Sequence, residues 1–306
     1  MCGICAIMMD NHNKDFPIGC LLYKMMESQQ IRAQDSTGVA IFKNGTNQEL
    51  YRIDYFRKID GMYNPFTEKV SPEKLDKTLY ELTQNPNIVI TSVAKEMTLL
   101  KDIGLVRDLE AKYKIRSIQG THGICHLRIA TSSRVTAVNA HPFSTIAMPD
   151  IAVVHNGEIT NYSKLRSSLE LQGYRLFTRC DSEVIAVFIA DQLLKHGDLE
   201  KANYELIKNA DGPFTYIVAT PESIAIVRDK FGARKCIFGY NPGNNDYPSF
   251  WAMATDLSAL DSVGATFHVE TPQPGKPKIF YRDEPQIFNK LTQADIHFFK
   301  TNFCYD

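Results

Sequence analysis

A cysteine stands at position 2 of this chain, and that placement carries its own chemistry. Removal of Met1, which proceeds before a small residue, leaves Cys2 with a thiol and a free α-amine on one residue. An α-amine ordinarily titrates at about 7.7–8.0, so near neutral pH part of it is unprotonated and can take the thiol proton, directly or through a water. The bland alternative is a small apolar residue opening a buried strand, and position alone does not separate the two. Other stretches bear on the choice. Val153-Val154-His155-Asn156-Gly157-Glu158-Ile159-Thr160 runs a buried strand into Asn-Gly. That sets an amide side chain beside an unhindered backbone N–H, as a tetrahedral oxyanion needs; the alternative is an ordinary Asn-Gly turn. His126-Leu127-Arg128-Ile129-Ala130-Thr131 puts an arginine in an apolar strand. An unpaired guanidinium there is costly, so a structural carboxylate or an acidic ligand must meet it. Thr178-Arg179-Cys180-Asp181-Ser182-Glu183 places Asp181 at a helix start, where an N-cap is the ordinary role.

These residues need elements to hold them. Gly3 to Met9 reads as a fully buried strand, residues 11–15 as a turn, and Pro17 as the start of a helix with Ile18, Leu21, Leu22, Met25 and Met26 on one face. A strand follows at 39–43. From about 54 to 117 the chain becomes more charged, with helices predicted at 71–82 and 97–113, so the segment reads as a helical insertion. Strands return at 123–131, 151–155, 214–220, 224–228, 250–254 and 278–281. Two helices interrupt them. One begins near Thr160-Asn161, carries Leu165, Leu169 and Leu171 and ends at Gly173; the other begins at Asp181-Ser182-Glu183 and buries Val184, Ile185, Phe188, Ile189 and Leu193. Residues 241–246 form a surface turn cluster. The pattern is α+β rather than a regular βαβ alternation, with two sheets packed between helices.

Several motifs share an order with a known family. Met1-Cys2-Gly3-Ile4, Arg32-Ala33-Gln34-Asp35-Ser36-Thr37-Gly38, His126-Leu127-Arg128-Ile129-Ala130-Thr131, Asn139-Ala140-His141-Pro142-Phe143, His155-Asn156-Gly157-Glu158-Ile159 and Cys180-Asp181-Ser182-Glu183 resemble, in sequence and order, the motifs of class II glutamine amidotransferases. These are the N-terminal-nucleophile glutaminase domains of amidophosphoribosyltransferase, glucosamine-6-phosphate synthase, asparagine synthetase and glutamate synthase. The resemblance continues through Arg228-Asp229-Lys230-Phe231-Gly232-Ala233-Arg234 and Ala254-Thr255-Asp256-Leu257-Ser258-Ala259-Leu260 to about Tyr281. It implies a four-layer αββα sandwich of N-terminal-nucleophile hydrolase type over residues 1–285, with the helical insertion at 54–117 and a tail at 286–306. It also implies roles. Cys2 attacks the glutamine side-chain amide to give a thioester and ammonia, and water then releases glutamate. Asn156 and the Gly157 N–H form the oxyanion hole, Arg128 binds the α-carboxylate and Asp181 the α-ammonium. Thr131 and His141 line the pocket, and Arg32 orders the nucleophile's terminus. Ala33 and Cys125 stand where the family usually has glycine. No cofactor and no metal are expected. Cys2 and Cys5, three apart on a strand, point to opposite faces, and His122, His126, His141 and His155 are spread over separate elements.

Composition narrows the class further. Lys+Arg number 34 against 35 Asp+Glu, a net charge of −1, which excludes an electrostatic nucleic-acid binder. No apolar run approaches the roughly 20 residues of a membrane-spanning helix, and the N-terminus lacks a basic segment and a cleavage site, so a cytoplasmic protein is expected. Seven scattered cysteines argue for reduced thiols. L-glutamine is the expected ligand. No acceptor domain fits after Tyr281, so the ammonia acceptor is expected on a partner synthase subunit. Free-standing domains of this kind look most like the glutaminase subunits of archaeal-type glutamate synthase and N-methylglutamate synthase. A homo-oligomer stays open. The rival reading is a non-catalytic glutamine-binding or scaffolding subunit of such a complex, and a third is an N-terminal-nucleophile hydrolase of another amide.

Overall fold

The computed structural model describes residues 2–10, 16–43, 49–130, 134–244 and 247–282. Met1, the turn at 11–15, Thr131, the last two residues of the 241–246 cluster and the tail at 286–306 lie outside the described residues. In chain order, β1 (Gly3–Met9), α1 (Ile18–Ser28) and β2 (Ser36–Phe42) come first. Then follow β3 (Tyr51–Ile59), β4 (Met62–Val70), α2 (Pro72–Gln84), β5 (Ile88–Ala94), β6 (Met97–Ile103) and α3 (Val106–Tyr113). The next elements are β7 (His122–Arg128), β8 (Ala152–Gly157), α4 (Tyr162–Leu171), α5 (Asp181–His196) and α6 (Leu199–Asn209). The chain closes with β9 (Phe214–Thr220), β10 (Ser223–Arg228), β11 (Ile237–Asn241), β12 (Phe250–Ala254), α7 (Leu257–Asp261), β13 (Phe267–Glu270) and β14 (Lys278–Tyr281).

The strands build a seven-stranded sheet in the order β13-β11-β12-β1-β7-β2-β6 and a four-stranded sheet in the order β14-β10-β9-β8. Side-chain alternation stacks them. On β1, Cys5, Ile7 and Met9 face a core shared with Leu21, Leu22, Met25 and Met26 of α1 and Leu260 of α7. The intervening Ile4, Ala6 and Met8 meet Ala152 and Val154 of β8, Ile217 of β9 and Ile226 of β10 across the sheet interface. Beyond the second sheet, Val153, Tyr216 and Val227 pack on Leu169, Val184, Phe188 and Leu206 of α4, α5 and α6. The layers run helix, sheet, sheet, helix, the αββα sandwich that the motifs imply. Strands covered on both faces have no polar side to show, which is why β1 and β9 read as continuous apolar runs.

The segment at 54–117 is a correction. It carries more strand than helix: β3, β4 and β5 form a separate three-stranded sheet in the order β4-β3-β5, with a small core of Ile53, Tyr55, Leu82, Ile88, Ile90 and Val93. The β3–β4 hairpin turns at Asp60 and Gly61, both at positive φ, an Asp-Gly turn that suits the twist of paired strands. The helix expected at 71–82 is present as α2, whereas 97–113 divides into β6 and α3. Gly104, at φ +96°, breaks it, and β6 pairs with β2 at the edge of the large sheet. Leu171, expected on the packed face of α4, is 89% exposed. No described helix is long and apolar enough to cross a membrane.

Helix α1 lies directly on β7. Leu22 is fully buried, and its Cδ1 is so close to Gly123 that a Cβ there would meet it at 2.8 Å. Leu22→Ala opens a cavity at this contact and is expected to cost about 2–5 kcal/mol, measured as a lowered midpoint in urea with an unchanged slope.

Candidate active site

The start of β1 meets the ends of β7 and β8. Gly3 pairs with Leu127, so Cys2, one residue earlier, lies level with Arg128 at the last position of β7. The chain just beyond β7 is held by Asp35: its N–H donates to the Arg128 carbonyl (3.0 Å), and its Oδ2 accepts the Ala130 N–H (2.7 Å). This turns Ile129 toward the cysteine. The Ile129 N–H donates to Cys2 Sγ (3.4 Å), and the thiol donates back to the Ile129 carbonyl (3.5 Å).

The Cys2 carbonyl accepts from Arg32 Nε (3.5 Å) and from Asn156 Nδ2 (3.4 Å). Arg32 is itself ion-paired with Asp256. Thr255 fastens the next residue, its Oγ1 accepting the Ile4 N–H (2.9 Å) while its N–H donates to the Ile4 carbonyl (3.0 Å). Gly3 has a steric reason: a Cβ there would fall 2.5 Å from Oε1 of the fully buried Gln29.

Asn156 is oriented from behind. His126 Nε2 lies 3.1 Å from the His155 carbonyl and 3.2 Å from Asn156 Oδ1. Both are acceptors, so Nε2 carries the proton and donates to them. Oδ1 is thereby turned to the histidine and Nδ2 to Cys2 and to Thr255 Oγ1 (3.3 Å). Burial pushes His126 down to about 3, so the ring is neutral across the physiological range. Gly157, at φ +121°, packs so tightly that a Cβ would lie 2.0 Å from the Pro213 carbonyl; only glycine fits. The Asn156-Gly157 pair ends β8 rather than making a two-residue hairpin.

Asp181 is the first residue of α5, Cys180 being the N-cap. Its Oδ2 accepts the Ile159 N–H (3.0 Å), tying the segment after the Asn-Gly pair to the helix. Burial alone would push this carboxyl up, but the His155 ring, the Ile159 N–H and the Cys180 thiol hold it down at about 2. His141, 5% exposed, does not contact Cys2. It stacks on His126 with centroids 4.0 Å apart, and its Nε2 lies 2.8 Å from Ser182 Oγ, which also meets His155 Nδ1 (3.0 Å) and Asp181 Oδ1 (3.3 Å).

The structure thus gathers Cys2, Arg32, Arg128 and Asn156 at one strand start, with Gly157 next to Asn156 at the end of β8, Asp181 joined to that end through Ile159 and His155, and His141 one layer behind; Thr131 lies outside the described residues. Ala33 is extended and Cys125 is an ordinary buried β7 residue opposite Cys5, so neither position requires glycine. The core thiols are poor nucleophiles: burial raises Cys5 and pushes Cys180 to about 11 and Cys236 to about 12. Among the described residues no group of His, Cys, Asp and Glu is placed to hold a metal ion. Asp35, Ser182, Thr255 and Asp256 take part without having been singled out by sequence. Each stands inside a motif quoted above, which was the available signal.

A family profile described as "Glutamine amidotransferase domain" matches residues 126–261. The chain is similar to a Methanothermobacter thermautotrophicus protein named "Putative glutamine amidotransferase", 30% identical over 92% of this chain and 99% of that one. A "Glutamine amidotransferase-like protein" of Rhizobium meliloti is 29% identical over 86% of this chain and 94% of its own length. Among solved structures, the glutamine phosphoribosylpyrophosphate amidotransferase from B. subtilis superposes with a TM-score of 0.60 at 20% identity, a likeness of fold. It covers 92% of this chain, which spans about half (49%) of that one.

Burial keeps three histidines neutral in the folded chain: His122 is pushed down to about 4, His126 to about 3, and His141 well below its usual range. Unfolded, each takes up a proton near pH 6.5. The unfolded state therefore binds more protons below that pH, and stability present above it is lost as the pH falls toward the folded values. Each histidine contributes a slope of about 1.4 kcal/mol per pH unit. Urea unfolding between pH 7 and 5 should show this steep loss, and His122→Gln, remote from Cys2, should flatten it by about one histidine's share.

Proposed function

This chain belongs to the class II glutamine amidotransferases, and from that premise we propose that it hydrolyses the side-chain amide of L-glutamine through a Cys2 thioester. The observation that carries the reading is Asn156 Nδ2, fixed by a neutral His126 and aimed at Cys2. With Met1 removed, the Cys2 α-amine takes the thiol proton and Sγ bonds to the amide carbon. The oxyanion of the tetrahedral species is stabilised by Asn156 Nδ2–H and the Gly157 N–H. The C–N bond then breaks, the α-ammonium returns its proton to the leaving nitrogen, and ammonia departs from the γ-glutamyl thioester. Water, deprotonated by the same amine, attacks the thioester. Glutamate leaves and the thiol is restored.

Arg128 and Asp181 select the amino-acid end, pairing with the α-carboxylate and the α-ammonium. Thr131 is the further expected pocket residue, His141 supports the site from one layer behind through Ser182, and Arg32, braced by Asp256, holds the Cys2 carbonyl. The ammonia passes to an acceptor on a partner synthase subunit of glutamate synthase type. The archaeal and rhizobial relatives match this chain over 99% and 94% of their own lengths.

Intact-mass spectrometry of the native protein, before and after treatment with a diazo-ketone analogue of glutamine, tests the reading. The expected result is loss of Met1 and one adduct on Cys2, blocked by excess glutamine. Retained Met1 with an unlabelled Cys2 would instead favour a non-catalytic glutamine-binding subunit. Asn156→Ala should lower kcat by about 100- to 1,000-fold, the usual effect of removing one oxyanion donor.

A further inference from the structure

Lys101 is 4% exposed, in β6 directly opposite Gly38 of β2. Its Nζ donates to the carbonyls of Val138 (3.2 Å), Ala140 (2.8 Å) and Pro142 (3.2 Å), using all three N–H bonds of the ammonium. The ring of Phe143 lies 4.6 Å from it. Gly38 completes the seat: a Cβ there would fall 2.0 Å from the His141 carbonyl. The paired strands therefore hold residues 138–142 from two sides, a cation gathering three carbonyls and a missing side chain admitting the one between.

That segment carries His141, whose Nε2 is 2.8 Å from Ser182 Oγ, and Ser182 is 3.3 Å from Asp181 Oδ1. The first turn of α5 closes on the lysine as well, since Lys101, Val138, Phe143, Thr178 and Glu183 line one small cavity. Glu183 in turn accepts the N–H groups of Phe177 and Thr178 (both 2.7 Å), fixing the approach to Asp181. Burial pushes Lys101 down to about 7 against the opposing pull of Glu183, the mark of a cation kept in a costly place.

We infer that Lys101 is a positioning residue for substrate selection: through the 138–142 segment, His141 and Ser182 it sets the carboxylate of Asp181 where an α-ammonium binds. Lys101 thereby governs the preference for an α-amino acid over other amides, and not the cleavage of the amide itself. The inference rests on the proposed role of Asp181.

The test compares Lys101→Met, Ser182→Ala and Asp181→Asn with the unaltered enzyme on two amides, glutamine and its deamino analogue 4-carbamoylbutanoate, which lacks the α-ammonium. Lys101→Met is expected to raise KM for glutamine about tenfold with kcat little changed and to leave the analogue unaffected. Asp181→Asn should give the same split, and adding Lys101→Met to it should cost nothing more. A role confined to stability would lower activity on both amides together, and that result, or no change on either, overturns the inference. If Lys101→Met does not fold, Ser182→Ala, which cuts the same path, must show the split, and its failure to do so is equally decisive. Should Asp181→Asn leave the preference intact, the reading of Asp181 falls and the inference with it. Should Asp181→Asn show the split and Lys101→Met not, the inference alone falls.

Discussion

The start of β1 has to be held still, although chain ends ordinarily fray. The strand solves this by its place in the sheet, between β12 and β7, where its backbone is paired on both sides and its side chains are covered on both faces. What the sheet does not reach is secured by side chains arriving from elsewhere in the sequence. Thr255 bonds both polar groups of Ile4, Arg32 and Asn156 share the carbonyl of Cys2, and Gln29 fills the space that Gly3 leaves open. Cys2 itself does little to fix its own position. The rest of the fold supplies at residue 2 the order that a terminus lacks, which the proposed role of Cys2 as nucleophile requires.

Burial then decides which groups do chemistry. His126 and His141 stand behind Asn156 rather than against Cys2, and burial holds both well below neutral pH values. A ring pushed down to about 3 is too weak a base to deprotonate a thiol efficiently near pH 7. Its service is directional: a neutral His126 donates from one nitrogen and so fixes which end of the Asn156 amide faces Cys2. With His126 and His141 uncharged, Arg128 and Asp181 are the charges of opposite sign that the proposed reading assigns to the two ends of a free amino acid. In the proposed reaction the base is instead the α-amine of Cys2, on the reacting residue itself.

Much of this was legible in the sequence because the chemistry sits in short contiguous motifs whose residue types are hard to explain otherwise. An arginine in an apolar strand and an Asn-Gly after another each raised the possibility of a site beside a structural carboxylate or an ordinary turn, and the ordered motifs of the family gave them roles. The β-rich layers were legible for a related reason, since strands buried on both faces give unbroken apolar runs. The 54–117 segment was not. Its hairpin is half exposed and carries Arg52, Asp54, Arg57, Lys58, Glu68 and Lys69, so local polarity resembled a solvated helix, although Asp60-Gly61 was a usable turn signal. Between 97 and 113 the apolar spacing fitted one helix, and tertiary pairing of β6 with β2 overrode it. The roles of Ser182 and Thr255 were hidden because a hydroxyl in a motif does not announce its partner; both bond to residues brought near only by folding.

The site is also divided between the two sheets. Arg128 ends one strand of the seven-stranded sheet and Cys2 immediately precedes another, whereas Asn156 and Gly157 end a strand of the four-stranded one, and Asp181 starts the helix packed beneath it. Cys2 and Asn156 are therefore positioned relative to each other by the core between the sheets, where Ile4, Ala6 and Met8 meet Ala152, Val154 and Ile217. Direct hydrogen bonds across that divide are few at this end: Asn156 to Cys2 and Thr255, and His126 to the His155 carbonyl and Asn156. Close packing transmits small volume changes because interiors have little slack. Ala6 and Ala152 belong to that core as small side chains that leave room for close approach, and the Asn156–Cys2 hydrogen bond spans the same gap. The relation between Cys2 and Asn156 is thus a property of the sandwich as a whole, because the apolar residues between the sheets keep the two layers in register.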